Sequence, residues 1–311
     1  MITIKEKNFV SAVVYCYNCR DAVAAFLKEV NETLKNNFER YEIICVNDCS
    51  TDNTVKVIDK FCDKNTVKSL TVVNTSFAQG LESAMIAGQD IAIGDFVFEF
   101  DSTILDFEPA MIMDVYRKSL KGNDIVFANP VANQRWTSKL FYNLFNRFSD
   151  SEYKIRTQRF SVISRRGINR VKSMGAKTVY RKAVYASCGL PVDSVEYKPL
   201  INAQTAIAAK KVKRELALNS LILFTDIGYK ISLFLTVAMS VVLLAAGIYT
   251  VAVFFSANPV AGWTTTMLVM SFGFFGLFVI LAFVLKYLSV ILNMVFVQKQ
   301  YVIESVQKIT K

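Results

Sequence analysis

Residues 41–52 read YEIICVNDCSTD, an apolar run that ends in a group of small and acidic residues. The run over residues 41–46 is typical of a buried strand, and the small polar residues after it can cap a helix over residues 53–61. Asn47 and Asp48 therefore stand where a strand ends and a loop toward a helix begins.

The same alternation of strand and helix extends outward through the first 125 residues. Strands are predicted over residues 9–15, 41–46, 67–74 and 96–100, and helices over residues 21–36, 53–61 and 80–92. Strands spaced by helices of this length predict a parallel sheet with helices on both faces. Ligands of such sheets bind at the carboxyl ends of the strands, where Tyr17, Asn18, Asp48 and Asp101 are expected. A further strand is predicted over residues 124–128.

Charge is distributed unevenly along the 311 residues. The chain has 36 Lys and Arg, 26 Asp and Glu, and a net charge of +10. Residues 129–182 hold 13 basic and 2 acidic residues, a net charge of +11, whereas residues 1–128 hold 13 and 19. Such a basic segment favours an anionic partner. The chain has no histidine, which excludes Ser-His-Asp and Cys-His nucleophiles and His-ligated zinc.

The cysteines point to a reducing compartment. Of the six, Cys16 and Cys19 together with Cys49 would suit a redox pair or a metal site, but reduced cytosolic thiols are the favoured interpretation. No signal peptide is predicted, because residues 1–7 are polar and the apolar run over residues 9–17 is short and lacks a cleavage site.

Two long stretches without charge predict membrane spans. Residues 231–255 and 262–285 each exceed the roughly 20 residues that cross a bilayer as a helix. Lys and Arg flank the pair on both outer sides and are absent from residues 256–261, so both termini are expected in the cytoplasm. Residues 286–311 then form a cytoplasmic tail. A helical hairpin buried in a soluble core is the less favoured alternative.

Two amphipathic segments are expected next to the membrane. Residues 137–150 place apolar side chains on one face, which predicts a helix lying in the lipid interface, with packing on its own domain as the alternative. Residues 201–230, with the basic run AAKKVKR, predict a juxtamembrane helix leading into the first span. The domain of alternating strands and helices is then confined to residues 1–200.

Taken in order, these features resemble the membrane-anchored polyprenyl-phosphate glycosyltransferases of glycosyltransferase family 2, which include dolichol-phosphate mannose synthase. Tyr17-Asn18 resembles the signature after the first strand, and residues 41–52 resemble the Val-Asp-Asp-Gly-Ser-x-Asp block. The match continues at family spacing with residues 80–88, Gly94-Asp95, Asp101, Phe141-Tyr142, residues 159–166 and the two spans.

The resemblance implies a GT-A catalytic domain, a Rossmann-like αβα fold, in an integral inner-membrane protein. It implies inverting transfer of a sugar from a nucleotide sugar to undecaprenyl or dolichyl phosphate at the cytoplasmic face, in cell-surface polysaccharide biosynthesis. Because the acceptor phosphate is already ionised at neutral pH, it needs little help from a general base. A protein without histidine can therefore run this reaction.

Site residues follow from the resemblance and from charge. Asp101 and Arg159 are the catalytic candidates, and a Mg²⁺ or Mn²⁺ ion is expected at Asp101 and Thr103. The donor nucleotide is assigned to Tyr17, Asn18, Asp48, Gly80 and Asp101. Among these, Asp48 would hold the base. Because the acceptor headgroup must be met by cations at the membrane surface, it is assigned to Arg135, Lys139 and Arg156. Each assignment has a structural alternative. Asp48 could only cap its loop, and Asp101 could be an acidic residue that stands at a strand end by chance. The basic residues could form a surface that only faces solvent or lipid.

Several departures from the family pattern bear on the metal and on activity. The Asp-x-Asp signature has become Asp101-Ser-Thr103, Cys49 replaces a Gly, and Gln158-Arg159-Phe160-Ser161 stands where relatives have Gly-Asp-Phe-Arg. With one carboxylate left, we expect weak metal affinity and an ion that arrives with the donor.

Two other functions stay open at this point. One is a catalytically impaired, membrane-tethered nucleotide-binding or partner subunit, and the other is transfer onto a lipid-linked oligosaccharide. Membrane lipid is an expected partner, nucleic acid is not, and a homo-oligomer is left open.

The charge bias makes a topological prediction. A cysteine introduced by Ala257→Cys should react with an impermeant thiol reagent from outside intact cells, because the segment between the spans carries no Lys or Arg. A cysteine introduced by Lys308→Cys serves as the control and should react only after the membrane is opened. Labelling of the first variant only in opened membranes would contradict the predicted topology.

Overall fold

The structure, a computed structural model, describes residues 5–64, 67, 69–131, 153–174, 180–200, 227–256, 262–295 and 301–309. Its described residues fall into two compact units. The sheet unit lies within Met1–Ser220 and Val297–Lys311, and the helical unit lies within Leu221–Phe296.

The sheet unit is built on one eight-stranded sheet. Its strands are β1 Val10–Cys16, β2 Tyr41–Asn47, β3 Leu70–Thr75, β4 Phe96–Phe100, β5 Ile125–Pro130, β6 Phe160–Ser164, β7 Val192–Tyr197 and β8 Ile303–Ile309. They are arranged in the order β7-β5-β6-β4-β1-β2-β3-β8. The neighbours among β1 to β4 pair in parallel, as predicted, whereas β6 and β8 run antiparallel to their neighbours.

Helices cover both faces of the sheet. Strands such as β2, which are buried along their whole length, require this cover on both sides. The helices of the sheet unit are α1 Val23–Asn37, α2 Thr54–Lys64, α3 Leu81–Ile91, α4 Ala110–Ser119, α5 Arg165–Ser173 and α6 Arg181–Ser187. On one face, Phe26 of α1 meets Phe100 of β4 edge to face, with ring centroids 5.3 Å apart. On the other face, α3 contacts β1 and β2 through Gly88, whose position lies against Val13 and Val46.

The end of the chain differs from the predicted tail over residues 286–311. Residues up to Val295 continue the last helix, and β8 pairs with β3, from Leu70 opposite Ile309 to Thr75 opposite Ile303. Strand β8 covers an edge of β3 that would otherwise expose unpaired backbone groups. The segment after the second apolar helix therefore belongs to the sheet unit.

The helical unit contains α7 Ile227–Ser256 and α8 Trp263–Val295. Within them, Leu233–Phe255 and Trp263–Leu288 are long and apolar enough to cross a membrane. Only 6% and 0% of their most apolar windows are buried, whereas a hairpin inside a soluble core would bury its side chains. The two helices therefore fit membrane anchoring better than the soluble alternative.

The predicted interfacial helix over residues 137–150 lies outside the described residues, as do Arg135 and Lys139. The predicted juxtamembrane helix over residues 201–230 also lies outside them, apart from its last four residues, which begin α7.

The turn before β4 is held by a buried carboxylate. Glu42 accepts hydrogen bonds from Ser11 Oγ at 2.5 Å and from the backbone N–H of Ile93 at 2.9 Å. The N–H of Gly94 donates to Ser11 Oγ at 2.9 Å. A Cβ at Gly94 would lie 2.6 Å from the backbone nitrogen of Ser11 and 2.9 Å from the carbonyl oxygen of Phe96, so only glycine fits.

Substitution of this glycine should destabilise the sheet unit. We expect Gly94→Ala to lower the free energy of unfolding by about 1–3 kcal/mol, because backbone atoms must move to admit the methyl group. The control is Ile93→Ala in the same turn, where the side chain is 68% exposed and the change should stay within about 0.5 kcal/mol. Denaturant unfolding of the detergent-solubilised protein measures both, and equal stability of the two variants would contradict the packing argument.

Candidate functional site

The carboxyl ends of the central strands meet at one edge of the sheet. Phe100, the last residue of β4, lies opposite Phe160, the first residue of the antiparallel β6. The segments that carry Asp101 and Arg159 are therefore neighbours. The loops after β1 and β2 reach the same edge, where the N–H of Asp48 donates to the carbonyl of Cys16 at 2.9 Å.

A buried arginine connects this edge to two helices. Arg181, the first residue of α6, is 1% exposed. Its Nε donates to Glu82 Oε2 at 3.0 Å, its Nη1 to Glu99 Oε1 at 3.3 Å, and its Nη2 to Asp101 Oδ1 at 2.7 Å. One guanidinium thus joins α3, β4 and the residue after β4 to α6. We call Arg181, Lys182, Tyr185, Glu82, Glu99 and Asp101 the Arg181 cluster.

Asp101 is held by two cations. Besides Arg181, Lys182 Nζ contacts Asp101 Oδ2 at 2.7 Å, so each carboxylate oxygen faces one positive charge. Burial by itself raises the pKa of Asp101, but the charges of Lys182 and then Arg181 outweigh burial and hold the pKa below its usual value. Asp101 is therefore ionised at neutral pH.

At Glu99, the effect of burial on the pKa outweighs the effect of the neighbouring positive charge. Its side chain is 1% exposed, and burial raises its pKa in spite of the nearby Arg181. The hydroxyl of Tyr185 lies 3.1 Å from Glu99 Oε1 and accepts from Gln89 Nε2 at 3.2 Å. The Arg181 cluster contains two cations and three carboxyl groups, so a proton on Glu99 would bring its charges into balance.

The residues after β4 do not fit a divalent ion as they are arranged. Thr103 is buried, with 6% of its surface exposed, and each oxygen of Asp101 is paired with a cation. The next carboxylate, Asp106, is fully buried and accepts from Arg159 Nε at 2.6 Å. Within the described ranges, no group of three or more His, Cys, Asp or Glu side chains is placed to hold a metal.

The two described arginines among the predicted site residues have separate partners. Arg159 pairs with Asp106, which also accepts from the Tyr197 hydroxyl at 3.2 Å, and the Arg159 side chain stays 25% exposed. Arg156 is exposed and pairs with Glu196 at 2.5 Å. The structure thus places Arg159 beside Asp106 and not on Asp101.

Asp48 uses its carboxylate inside the chain. It is 1% exposed and accepts four hydrogen bonds, from the backbone N–H groups of Gln79 and Gly80 and from the hydroxyls of Thr75 and Tyr15, at 2.7 to 3.1 Å. A carboxylate offers about four acceptor positions. The observed contacts of Asp48 are those of a loop-fixing residue, and they shape the turn at Gly80, where φ is +86°. Its assignment to the nucleotide base stays a prediction.

The loop after β1 packs against the loop after β2. Asn18 Oδ1 accepts from the N–H of Thr51 at 2.8 Å, and the N–H of Asn18 donates to Ser50 Oγ at 3.0 Å. Asn18 and Cys49 both have positive φ, +46° and +53°, a conformation that asparagine tolerates and glycine would adopt without strain. Tyr17 is 47% exposed at this edge.

Cys19, the second cysteine of the pair Cys16 and Cys19, does not carry a reactive thiolate. All six are free thiols, and Cys16 and Cys45 are buried. The neighbouring Cys16 thiol and then burial raise the pKa of Cys19, which keeps it protonated and unreactive. A raised pKa opposes a reactive thiolate at Cys19, and the redox state of the thiols stays a prediction.

Sequence reasoning missed the two partners of Asp101, Arg181 and Lys182, and the buried residues around them. Glu82, Tyr185 and Gln89 were not singled out, and Arg181 and Lys182 entered only as the last two residues of the basic segment 129–182. That segment charge was the one available signal, because local spacing does not show that residues 80 positions apart in the chain will pair.

Comparison with known proteins shows the family and the fold of the chain. Residues 11–172, just over half of the chain, match the sequence profile of Glycosyl transferase family 2. An uncharacterized glycosyltransferase of Synechocystis sp. is 32% identical over 186 residues, which cover 58% of this chain and 57% of that protein. A prophage bactoprenol glucosyl transferase homolog of Escherichia coli is 29% identical over 196 residues, 60% of this chain and 62% of that protein.

A solved mannosyltransferase from Pyrobaculum calidifontis, in complex with GDP-Man and Mn²⁺, has the same fold. Its TM-score is 0.51, at 15% identity, over 90% of this chain and 87% of that chain. The predicted GT-A fold is thereby confirmed. The match to the first two relatives spans about 60% of their length. The chain belongs to glycosyl transferase family 2, and the enzyme class predicted from its sequence, a glycosyltransferase, is the class of this family.

Proposed function

We propose that the protein catalyses inverting transfer of a sugar from a nucleotide sugar to a polyprenyl phosphate, undecaprenyl or dolichyl, at the cytoplasmic face of a membrane. The observation that carries the proposal is that one chain joins a family 2 sheet unit to two exposed apolar helices of membrane-spanning length. The bactoprenol named for the Escherichia coli relative is a polyprenol, which supports the same acceptor class.

Chain connectivity supports the orientation. The sheet unit precedes α7, and β8, which follows α8, pairs with β3. If α7 and α8 each cross the bilayer, the chain returns to the side from which it started, as this pairing requires. The Lys and Arg on both outer flanks favour the cytoplasm for that side.

The charges at the strand ends suit a reaction between two polyanions. An ionised acceptor phosphate oxygen attacks the anomeric carbon, and the nucleoside diphosphate leaves with the bonding electrons. Cations must offset the repulsion between the two phosphate groups. Lys182 lies at Asp101, and Arg159, whose side chain is 25% exposed, lies on the neighbouring segment. Neither the attack nor the departure requires an imidazole.

We assign roles on this basis. Asp101 and Arg159 act at the reacting centre, and Tyr17, Asn18, Asp48 and Gly80 form the donor side, because their loops share the edge of the sheet. Arg135, Lys139 and Arg156 meet the acceptor phosphate, because they lie in the most basic part of the chain.

A second candidate is a membrane-tethered nucleotide-binding subunit without transfer activity. The observation that favours it is the engagement of Asp101 by two cations, which leaves the family's metal position without its usual carboxylates.

The acceptor test separates these functions. The full chain in liposomes, supplied with undecaprenyl phosphate and a panel of labelled sugar nucleotides, should form a mild-acid-labile lipid product. The matched acceptor undecaprenol should give none, because it lacks the ionised phosphate. No product with any donor would support the subunit, and product only on a lipid-linked oligosaccharide would support that alternative acceptor.

The acceptor arginines make a kinetic prediction. Arg156→Gln should raise the KM for polyprenyl phosphate about two- to fivefold and leave the KM for the donor unchanged, because an exposed cation contributes modestly. Arg135→Gln should act in the same direction. The control is Arg117→Gln on α4, an exposed residue paired with Asp114, which should change neither constant. Unchanged acceptor kinetics in both site variants would refute the assignment.

A further inference from the structure

Lys182 of α6, which contacts Asp101 after the end of β4, has an unused N–H donor among the described residues. An ammonium group carries three N–H donors. Lys182 Nζ uses one on Asp101 Oδ2 at 2.7 Å and one on the carbonyl oxygen of Gln158 at 3.3 Å. Among the described residues it has no third partner, and its side chain is 13% exposed, so a ligand can reach it.

Two residues whose backbone adjoins the contacts of Lys182, Gln158 and Ser102, carry buried polar side chains that have no partner among the described residues. Gln158 is 7% exposed, and within the described part of the chain neither its Nε2 nor its Oε1 has a hydrogen-bond partner. Ser102, the residue after Asp101, has a buried hydroxyl that is also unpaired. Leaving such groups unsatisfied costs about 1–3 kcal/mol each, so their presence points to a polar ligand that completes them.

Arg181 cannot serve such a ligand in the same way. It is 1% exposed and its guanidinium is shared among Glu82, Glu99 and Asp101. Its positive charge is therefore compensated by carboxyl groups inside the protein. Within the Arg181 cluster, Lys182 is the cation that is reachable and incompletely bonded.

We propose that Lys182 takes the place of a divalent ion, and that this chain binds the diphosphate of its nucleotide sugar without a metal. Asp101 then positions the ammonium group through Oδ2, and Gln158 and Ser102 supply neutral hydrogen bonds to phosphate oxygens. This inference rests on the donor class of the proposed function.

The sugar-transfer step needs neither a metal ion nor a group that carries a proton. The bond from the anomeric carbon to the diphosphate oxygen breaks, and its electron pair stays on that oxygen. The Lys182 ammonium stabilises the new charge by hydrogen bonding and keeps its proton. The new bond joins the anomeric carbon to an acceptor phosphate oxygen that was already ionised.

Nucleotide binding with and without metal tests the proposal. The full chain in detergent is titrated calorimetrically with UDP, GDP, ADP, CDP and TDP, in EDTA and in Mn²⁺. We expect at least one of them to bind the wild type with dissociation constants that agree within about threefold between the two conditions. Lys182→Gln should weaken binding in EDTA by about tenfold, or about 1.4 kcal/mol.

Three further variants and conditions separate a ligand-binding role from a structural one. Lys182→Arg should retain most of the affinity because it keeps the charge. Lys172→Gln, which removes an ion pair with Asp90, is the matched control and should bind like the wild type. Mn²⁺ should partly restore binding to Lys182→Gln, because Asp101 Oδ2 is then released to coordinate it, whereas damaged folding would not be restored.

Three results would overturn the proposal. The first is binding of the wild type only in Mn²⁺, and the second is no binding of any of the five nucleotides in either condition. The third is an unchanged affinity of Lys182→Gln in EDTA. Failure of the proposed function gives a different result. Nucleotide binding in EDTA without any lipid product would refute transfer and leave the inference standing. A lipid product that forms only with added metal would refute the inference and leave transfer standing.

Discussion

The buried guanidinium of Arg181 is the interaction on which the rest of the site depends. Its three ion pairs fix α3 through Glu82, β4 through Glu99 and the strand end through Asp101. Burying charges is costly, and removing one partner of such a pair typically costs about 3–5 kcal/mol, because the other charge is left uncompensated. The same contacts that stabilise α6 against the sheet therefore decide which side chains remain available to a ligand.

This arrangement pairs the carboxylates that follow β4 with cations of the chain itself. Asp101 and Asp106 are the acidic residues that follow β4 most closely, and each is already paired with Arg or Lys. A diphosphate that arrives at this edge meets the ammonium of Lys182 and unpaired neutral donors. In the proposed function, this edge binds the soluble anionic donor, and the two apolar helices keep the chain at the membrane that holds the acceptor.

The sequence predicted the fold well where the signal was local. Apolar runs and turn residues located β1 to β4, and the rule for parallel sheets placed Asp48 and Asp101 at the correct edge. Pairing across long stretches was not predictable. Arg181 meets Asp101 across 80 positions, and Ser305 of β8 meets Asn74 across 231. A short strand of mixed polarity after an apolar helix looks like a tail until the edge of β3 is known to need a partner.

A structure of the full chain with a nucleotide sugar, obtained from crystals grown in Mn²⁺ and measured at the manganese absorption edge, tests the central claim most directly. If Lys182 replaces the metal ion, diphosphate oxygens will lie within hydrogen-bonding distance of Lys182 Nζ, Asp101 will remain paired with both Arg181 and Lys182, and no anomalous peak will appear at Asp101. A manganese peak coordinated by Asp101, with Lys182 displaced from its carboxylate, would contradict the account.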